Sequence, residues 1–522
     1  MSGNHTRGVV AAGHPKTAEA ARIILEDGGN AVDAALAALC AACVAEPVLC
    51  SLGGGGFLLA RDPDGRGVLY DFFAQTPRRR RPPAETEFYP VLCDFGTVTQ
   101  EFHIGMGSTA TPGAVRGLFE VHRDLGRMPM AEIVAPAARL ARDGVALNQM
   151  QSEIFQVVSP IYRATPEARA VFGSRRRRGK PLQPGERYRT PALADTLEAL
   201  AVEGDGLFYD GEIAERVARQ SLERGGHVTR DDLKHYRVER RRPLTLSYRD
   251  ARILTNPPPS TGGLLIAFAL RLIGQADVGA LGHGSAAHLG LLARVMALTN
   301  EARMKSRLDH RRASAAERAL FDPALLDAYA AVVQGHALAS RGTTHISVID
   351  RSGEAVSLSL SNGEGNGSLV PDTGIMLNNV LGEEDINPRG FHRWPIGHRL
   401  ASMMAPTVVH FADGRLSAAG SGGSNRIRTA ILQVLSNLVD FGMSAEQAVH
   451  SPRIHHERGQ LGVEGGYRKR EIDRLVADYP DHRLWPGLSL FFGGVHTALA
   501  DPAAGRFSGA GDPRRDGVAL VI

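Results

Sequence analysis

Across residues 342–361 the chain alternates. Thr344, Ile346 and Val348 share one face, while Thr343, His345 and Ser347 share the other. That period of two predicts a strand. Asp350-Arg351-Ser352-Gly353 supplies turn residues, with glycine free to take positive φ. Val356, Leu358 and Leu360 then alternate with Ser357, Ser359 and Ser361, so the pair reads as a β-hairpin. Parity sets its register. Pairing Asp350 with Glu354 brings Ile346 opposite Leu358 and Val348 opposite Val356, whereas a one-residue slip sets apolar against polar. The same register sets Thr343 opposite Ser361, with both hydroxyls on the polar face.

Upstream, Val9 and Val10 begin a short strand that ends at Gly13-His14-Pro15. Thr17 is predicted to cap a helix reaching Asp27, closed by Gly28-Gly29. Asn30 caps a second helix with Asp33 in its first turn, where a carboxylate suits the helix dipole. Residues 31–45 are mostly Ala, Val, Leu and Cys, so this helix is expected to be buried all round. Pro47 ends it. The glycine run in Ser51-Leu52-Gly53-Gly54-Gly55-Gly56-Phe57 lacks Gly-Lys-Ser/Thr and leads into a strand, which excludes a phosphate loop and leaves close backbone packing. Helical periods run from Thr111-Pro112-Gly113-Ala114 past residue 220. Asn256-Pro257-Pro258-Pro259-Ser260-Thr261-Gly262-Gly263 turns into an apolar helix over 264–272. Gly374-Ile375-Met376-Leu377-Asn378-Asn379 and residues 404–409 read as strands. Gly420-Ser421-Gly422-Gly423-Ser424-Asn425-Arg426 leads into an amphipathic helix over 427–441. No tandem repeat is present.

Composition narrows the class. A chain of 522 residues with 43% apolar and 22% charged content supports a large soluble core. A net charge of +4 gives no field suited to nucleic acid or a membrane surface. The runs Arg78–Arg81 and Arg175–Arg178 carry no interleaved aromatics and read as solvated loops. Cys40, Cys43, Cys50 and Cys93 lack zinc-site spacing and read as buried free thiols. No metal or organic cofactor is implied. Residues 1–7 have no signal-peptide core and no apolar run is long enough to span a bilayer, so a cytoplasmic location is expected.

Thr343 becomes chemically special only if the bond before it is cut. Its own α-amine, with a reference pKa of about 8, could then act as general base for its Oγ. Ser421-Gly422-Gly423-Ser424, at a helix start, can aim peptide N–H groups at an oxyanion.

Gly342-Thr343-Thr344-His345-Ile346-Ser347-Val348-Ile349-Asp350 resembles the start of the small subunit of the γ-glutamyltranspeptidase family. The block from Gly13-His14-Pro15 through Gly29-Asn30-Ala31-Val32-Asp33-Ala34 to Gly53-Gly54-Gly55-Gly56-Phe57 is similar to the family's N-terminal signature, and the similarity extends over nearly the whole chain. The resemblance implies an α+β, four-layer αββα sandwich of the N-terminal-nucleophile hydrolases. It also implies self-cleavage between Gly342 and Thr343. Residues 1–342 would form a large-subunit part and 343–522 a small-subunit part, together one globular heterodimer. The Ala- and Arg-rich residues 311–341 suit an exposed processing loop.

By resemblance, Thr343 is the nucleophile, Ser361 the second hydroxyl that bonds it, and Gly423 and Ser424 the oxyanion donors. Asn362 and Glu383 match groups that hold the substrate amine, and Ser402 one of two serines that hold its carboxylate. Two departures stand out. Ala401 replaces the other serine, and Phe73 occupies the place of the family's carboxylate-binding arginine, which removes a bidentate contact. Arg78, Arg399 and Arg426 are the replacements considered. The implied activity is hydrolysis or transfer of a γ-glutamyl group from a glutathione-like small molecule to water or an amino acid. The alternatives are a cephalosporin-acylase-like amidohydrolase taking a non-glutamyl donor, and a non-catalytic relative. Association of two copies is left open.

Overall fold

The computed structural model describes residues 6–94, 99–306, 342–387 and 389–522. The alternating segments assemble into two stacked antiparallel sheets. The first runs Val518–Val521, Gly8–Ala12, Thr344–Asp350, Ala355–Ser361, Gly55–Arg61, Gly67–Phe72, Glu239–Arg241. The second runs Arg506–Ala510, Gly494–Asp501, Leu416–Gly422, Thr407–His410, Ala251–Thr255, Leu244–Tyr248. Helices Pro15–Glu26, Ala31–Ala45 and Ala114–Leu125 cover the outer face of the first sheet, with Met130–Asp143 packed on Ala31–Ala45. Helices Gly262–Ile273 and Arg426–Val439 cover the second, with Ala286–Ser306 packed on Gly262–Ile273. This is the four-layer αββα arrangement. Among the described residues no helix is long and apolar enough to cross a membrane.

The hairpin adopts the register that parity requires: Ile346 faces Leu358 and Val348 faces Val356. Both of its strands are buried on both faces. Ile346, Val348, Val356 and Leu358 pack under the first helical layer, while the polar face meets the second sheet instead of water. Ser357 Oγ donates to the Ala419 carbonyl (2.9 Å) and accepts from Thr407 N–H (2.9 Å), and Ser347 Oγ donates to the His496 carbonyl (3.1 Å). A β-carbon at Gly420 would stand 2.2 Å from the His345 ring, so only glycine lets the sheets close here.

The glycine run works the same way. Added β-carbons would reach 2.3 Å from the Met376 carbonyl oxygen at Gly53, and 2.3 Å from that of Ser361 at Gly54. Helix Ala31–Ala45 is buried along its whole length and opens on the expected Asn30 cap, which Asp33 completes as a capping box by accepting from the Asn30 N–H (3.1 Å). All four cysteines are free and buried, and both arginine runs lie in largely exposed loops.

Three expectations need correction. Helix Pro15–Glu26 is capped by His14, whose ring accepts from Lys16 N–H (3.0 Å). Thr17 lies inside the helix and donates instead to buried Glu46 (2.6 Å), a partner 29 residues away. Residues 374–379 make isolated bridges at Met376 and Leu377 but no strand. There the asparagines replace ladder pairing: Asn378 accepts from Ala110 N–H (3.0 Å) and donates to Gly53 and Ala110 carbonyls (2.8 and 2.9 Å). The strand expected over 404–409 is Thr407–His410, because Pro406 lacks the N–H that a ladder needs. Residues 311–341, read as a processing loop, lie outside the described residues.

At the hairpin turn, Asp350 accepts from Ala31 N–H at the helix start (3.0 Å). Neighbouring Glu354 is pushed up to about 7, first by burial and then by Asp350. A raised carboxyl binds its proton more tightly in the folded state than in the unfolded chain, so folding stability falls as pH rises between about 4.5 and 7. Glu354→Gln is expected to flatten that decline and to add roughly 1–3 kcal/mol at pH 8, with little effect below pH 4.5. Denaturant midpoints measured across this pH range check it.

Candidate active site

Thr343 is buried at the head of strand Thr344–Asp350, directly after Gly342. Its Oγ1 donates to the Gly342 carbonyl oxygen (2.6 Å), and Ser361 Oγ donates to the same oxygen (2.9 Å). Gly363 N–H in turn donates to Ser361 Oγ (3.0 Å), fixing the direction in which that hydroxyl points. Attack of Oγ1 on the Gly342 carbonyl carbon closes a five-membered ring through atoms of Thr343 itself. A carbonyl that already accepts two O–H donors is polarised for such attack.

Behind Thr343 the main chain is held from both sides. Its carbonyl accepts from the Arg515 guanidinium (3.1 Å), and Gly422 presses against it so closely that a β-carbon there would stand 2.0 Å from the oxygen. Thr344 Oγ1 donates to Glu46 (2.6 Å), which also takes the Thr17 hydroxyl. Burial raises the Glu46 carboxyl, against the pull of the two hydroxyls and Arg515. Burial lowers Arg515 to about 10, while nearby Asp512, Glu46 and Glu364 favour its charge. His345 is fully buried, held neutral by desolvation and then by His496. Its ring nitrogens are taken by Ser359 (2.8 Å) and Ser347 (2.9 Å), so it is a core histidine rather than a base for Thr343.

Thr343 and Ser361 open on a cleft walled by Phe73, Arg303, Glu383, Ser402 and Ser424. The turn before helix Arg426–Val439 is bent sharply, with φ of 126° at Gly423 and 53° at Ser424. It puts Ser424, Asn425 and Ile427 on the cleft wall with Gly423 just behind, while the N–H groups of Arg426 and Ile427 donate to the Gly423 and Ser424 carbonyls (both 3.0 Å). Ser402 is pinned by the turn that precedes helix Gly262–Ile273. Its carbonyl accepts from Ser260 Oγ (2.7 Å) and Thr261 N–H (2.9 Å), and its hydroxyl accepts from Met404 N–H (3.0 Å). Ala401 also lines the cleft. Asn362 does not: it is wholly buried beneath the loop, its carbonyl accepting from Gly365 and Asn379 N–H (3.2 and 3.3 Å).

Phe73 lines the cleft, is otherwise buried, and stacks on Phe57 with centroids 5.6 Å apart. None of the three arginines considered from sequence takes its place. Arg78 is at the surface beside Asp231 (3.2 Å). Arg399 is buried against Asp71 and Tyr236 and donates to the Phe73 carbonyl (2.7 Å). Arg426 packs over Phe491 and donates to that residue's carbonyl (3.1 Å). Among the described residues, the cation that lines the cleft is Arg303, near the C-terminal end of helix Ala286–Ser306. Sequence carries no signal for it, since a basic residue in a last helical turn is ordinary. Asp385 beside Glu383 was missed likewise.

The family model described as Gamma-glutamyltranspeptidase matches residues 17–522. The Acylase ACY 1 proenzyme of Pseudomonas sp. (strain V22) is 31% identical over 99% of this chain and 94% of its own length. The glutathione hydrolase proenzyme of Escherichia coli (strain K12) is 31% identical over 94% of this chain and 87% of its own. Among solved structures, cephalosporin acylase from Bacillus halodurans superposes with a TM-score of 0.84 at 25% identity, covering 99% of this chain and 96% of that one.

Arg515 serves the Thr343 carbonyl and three buried carboxylates, Asp512, Glu46 and Glu364, at once. Arg515→Met is therefore expected to destabilise the fold by about 3–5 kcal/mol, the usual cost of stranding buried charge. A thermal melt of the variant beside the parent measures it.

Proposed function

The chain belongs to the γ-glutamyltranspeptidase family, and we propose that it is a self-processing threonine amidohydrolase and acyltransferase whose nucleophile is Thr343. The observation that carries the reading is the pair of hydroxyls, Thr343 Oγ1 and Ser361 Oγ, on the Gly342 carbonyl oxygen. Attack by Oγ1 transfers the Gly342 acyl group from nitrogen to oxygen, with the hydroxyl proton passing to the Thr343 nitrogen. Water then hydrolyses the ester, leaving a Gly342 carboxylate and a free Thr343 α-amine. The two fragments remain together as a heterodimer.

In turnover the α-amine takes the Oγ1 proton as Oγ1 attacks a substrate amide. Peptide N–H groups of Gly423 and Ser424 receive the oxyanion, a contribution of about 3–4 kcal/mol per donor. The leaving amine takes the proton, and water or an amino group then accepts the acyl unit. Glu383 and Asp385 suit an ammonium on the acyl donor, and Arg303 suits a carboxylate that Phe73 cannot hold. A γ-glutamyl amide, with both groups, answers this arrangement. Free buried cysteines fit a reducing, cytoplasmic setting.

A second reading rests on Phe73 and Ala401. Two guanidinium and hydroxyl contacts fewer for a carboxylate favour an amide acylase with a less polar donor, and a related acylase proenzyme is as similar to this chain as the glutathione hydrolase.

Intact mass is expected to show two fragments for the parent chain, the smaller beginning at Thr343, and a single inactive chain for Thr343→Ala. A parent chain that stays whole and inactive overturns the proposal. γ-Glutamyl and glutaryl anilides separate the two readings: both end in a carboxylate, and only the first carries the α-amine that Glu383 and Asp385 would hold. Arg303→Ala is expected to raise KM for the glutamyl anilide about 10- to 100-fold, the worth of one charge-assisted contact, without slowing self-cleavage.

A further inference from the structure

The residue before the proposed cut is held at both of its polar groups by one short loop. Ser361, at the loop's start, donates to the Gly342 carbonyl (2.9 Å). Three residues on, the Glu364 carboxylate accepts from the Gly342 N–H (2.5 Å). The loop reaches both because Gly363 and Gly365 take φ of 64° and 84°, values that a side chain resists. A β-carbon at Gly363 would stand 2.1 Å from Glu383 Oε1 and 2.3 Å from Asn379 Oδ1. Glu364 is buried and braced at its own backbone, its N–H donating to Asn379 Oδ1 (2.9 Å). Gly342 is as tightly enclosed: a β-carbon there would lie 3.1 Å from the Gly363 and Val48 carbonyl oxygens and 3.3 Å from Glu364 Oε2.

We propose that Glu364 is a positioning residue for self-cleavage, holding Gly342 by its N–H while Ser361 holds it by its carbonyl; this rests on the self-processing reading above. With both ends fixed, the Gly342 carbonyl carbon cannot rotate away from Thr343 Oγ1. Glu364 takes no part in bond making: the acyl group moves from the Thr343 nitrogen to Oγ1, the hydroxyl proton goes to that nitrogen, and water completes hydrolysis. The carboxylate acts before the cut, on the ground-state geometry of the Gly342 peptide. Glu364 also lies outside the wall of the cleft that substrate would enter, so its effect falls on maturation far more than on turnover.

The test follows the rate of fragment appearance by intact mass in freshly purified full-length chains: parent, Glu364→Ala, Glu364→Gln, and Thr343→Ala as the uncut control. Glu364→Ala removes the acceptor and is expected to slow cleavage about 100-fold, the typical result of an ångström-scale misplacement. Glu364→Gln keeps an acceptor oxygen at the same reach but loses its charge, and is expected to cleave about tenfold slower. Once cleaved, Glu364→Gln is expected to hydrolyse an amide with parental KM and with kcat lowered far less than its cleavage rate, since Glu364 reaches the nucleophile only through the charge of Arg515, a split that general damage to the fold does not produce. Cleavage of both variants at the parental rate overturns the proposal, as does a Glu364→Gln enzyme whose kcat falls in step with its cleavage rate. A parent chain that never cleaves overturns the self-processing reading itself, which is a different result. If Glu364→Ala does not fold, the isosteric Glu364→Gln carries the comparison alone, with its melting temperature recorded beside the rates.

Discussion

Every hydroxyl and ring nitrogen on the inner face of strand Thr344–Asp350 must find a partner without water, and the facing sheet is built around that demand. An apolar interlayer could tolerate small slips. A polar one cannot, because each orphaned group costs about 1–3 kcal/mol. His345 sits between Ser347 and Ser359, Ser357 bridges to both Ala419 and Thr407, and Gly420 gives up its side chain so that the ring can lie flat against it. The spacing between the sheets follows, and with it the place where Thr343 meets Gly422 and Arg515.

The site inherits this rigidity. Its charges are buried and shared: Arg515 stands among Asp512, Glu46 and Glu364, and Asp512 is held far below the usual carboxylate range by Arg453 and Arg514 despite its burial. Removing water around such groups strengthens each contact and raises the penalty for an error in any of them. Among the described residues the cleft is mixed in character, with Glu383, Asp385 and Arg303 beside a wall of Phe73, Met403 and Ile427. The choice between a zwitterionic and a less polar acyl donor turns on that mixture.

Much of this was legible in the order of residues, and the limit of legibility was distance along the chain. The hairpin's register followed from parity because both strands lie within twenty residues and a slip carries its own cost. Asn30 was readable as a cap because the N–H it accepts from, that of Asp33, lies three residues on. Thr17 looked like a cap by the same local rule, but Glu46 outbid it from 29 residues away. Asn378 resembled part of a strand because its apolar neighbours alternate, while its real partners, Gly53 and Ala110, are hundreds of residues distant. Arg303 and Glu364 left no trace in sequence at all. Each is an ordinary charged residue made specific only by where the folded chain puts it.

The two sheets are not divided between the stretches before and after residue 342. In the first, strand Gly8–Ala12 lies between Val518–Val521 and Thr344–Asp350, and Gly55–Arg61 follows Ala355–Ser361. In the second, Ala251–Thr255 continues the sheet from Thr407–His410. Fragments woven in this way cannot part without unzipping whole ladders, and separately made fragments would have to thread together strand by strand. A single covalent chain avoids that search by keeping every strand at high effective concentration. The break proposed between Gly342 and Thr343 would therefore have to come last. The chain just behind that bond is held by groups of both stretches, Glu46 on the Thr344 hydroxyl and Arg515 on the Thr343 carbonyl, so the proposed scission is a clock that starts only when assembly is complete.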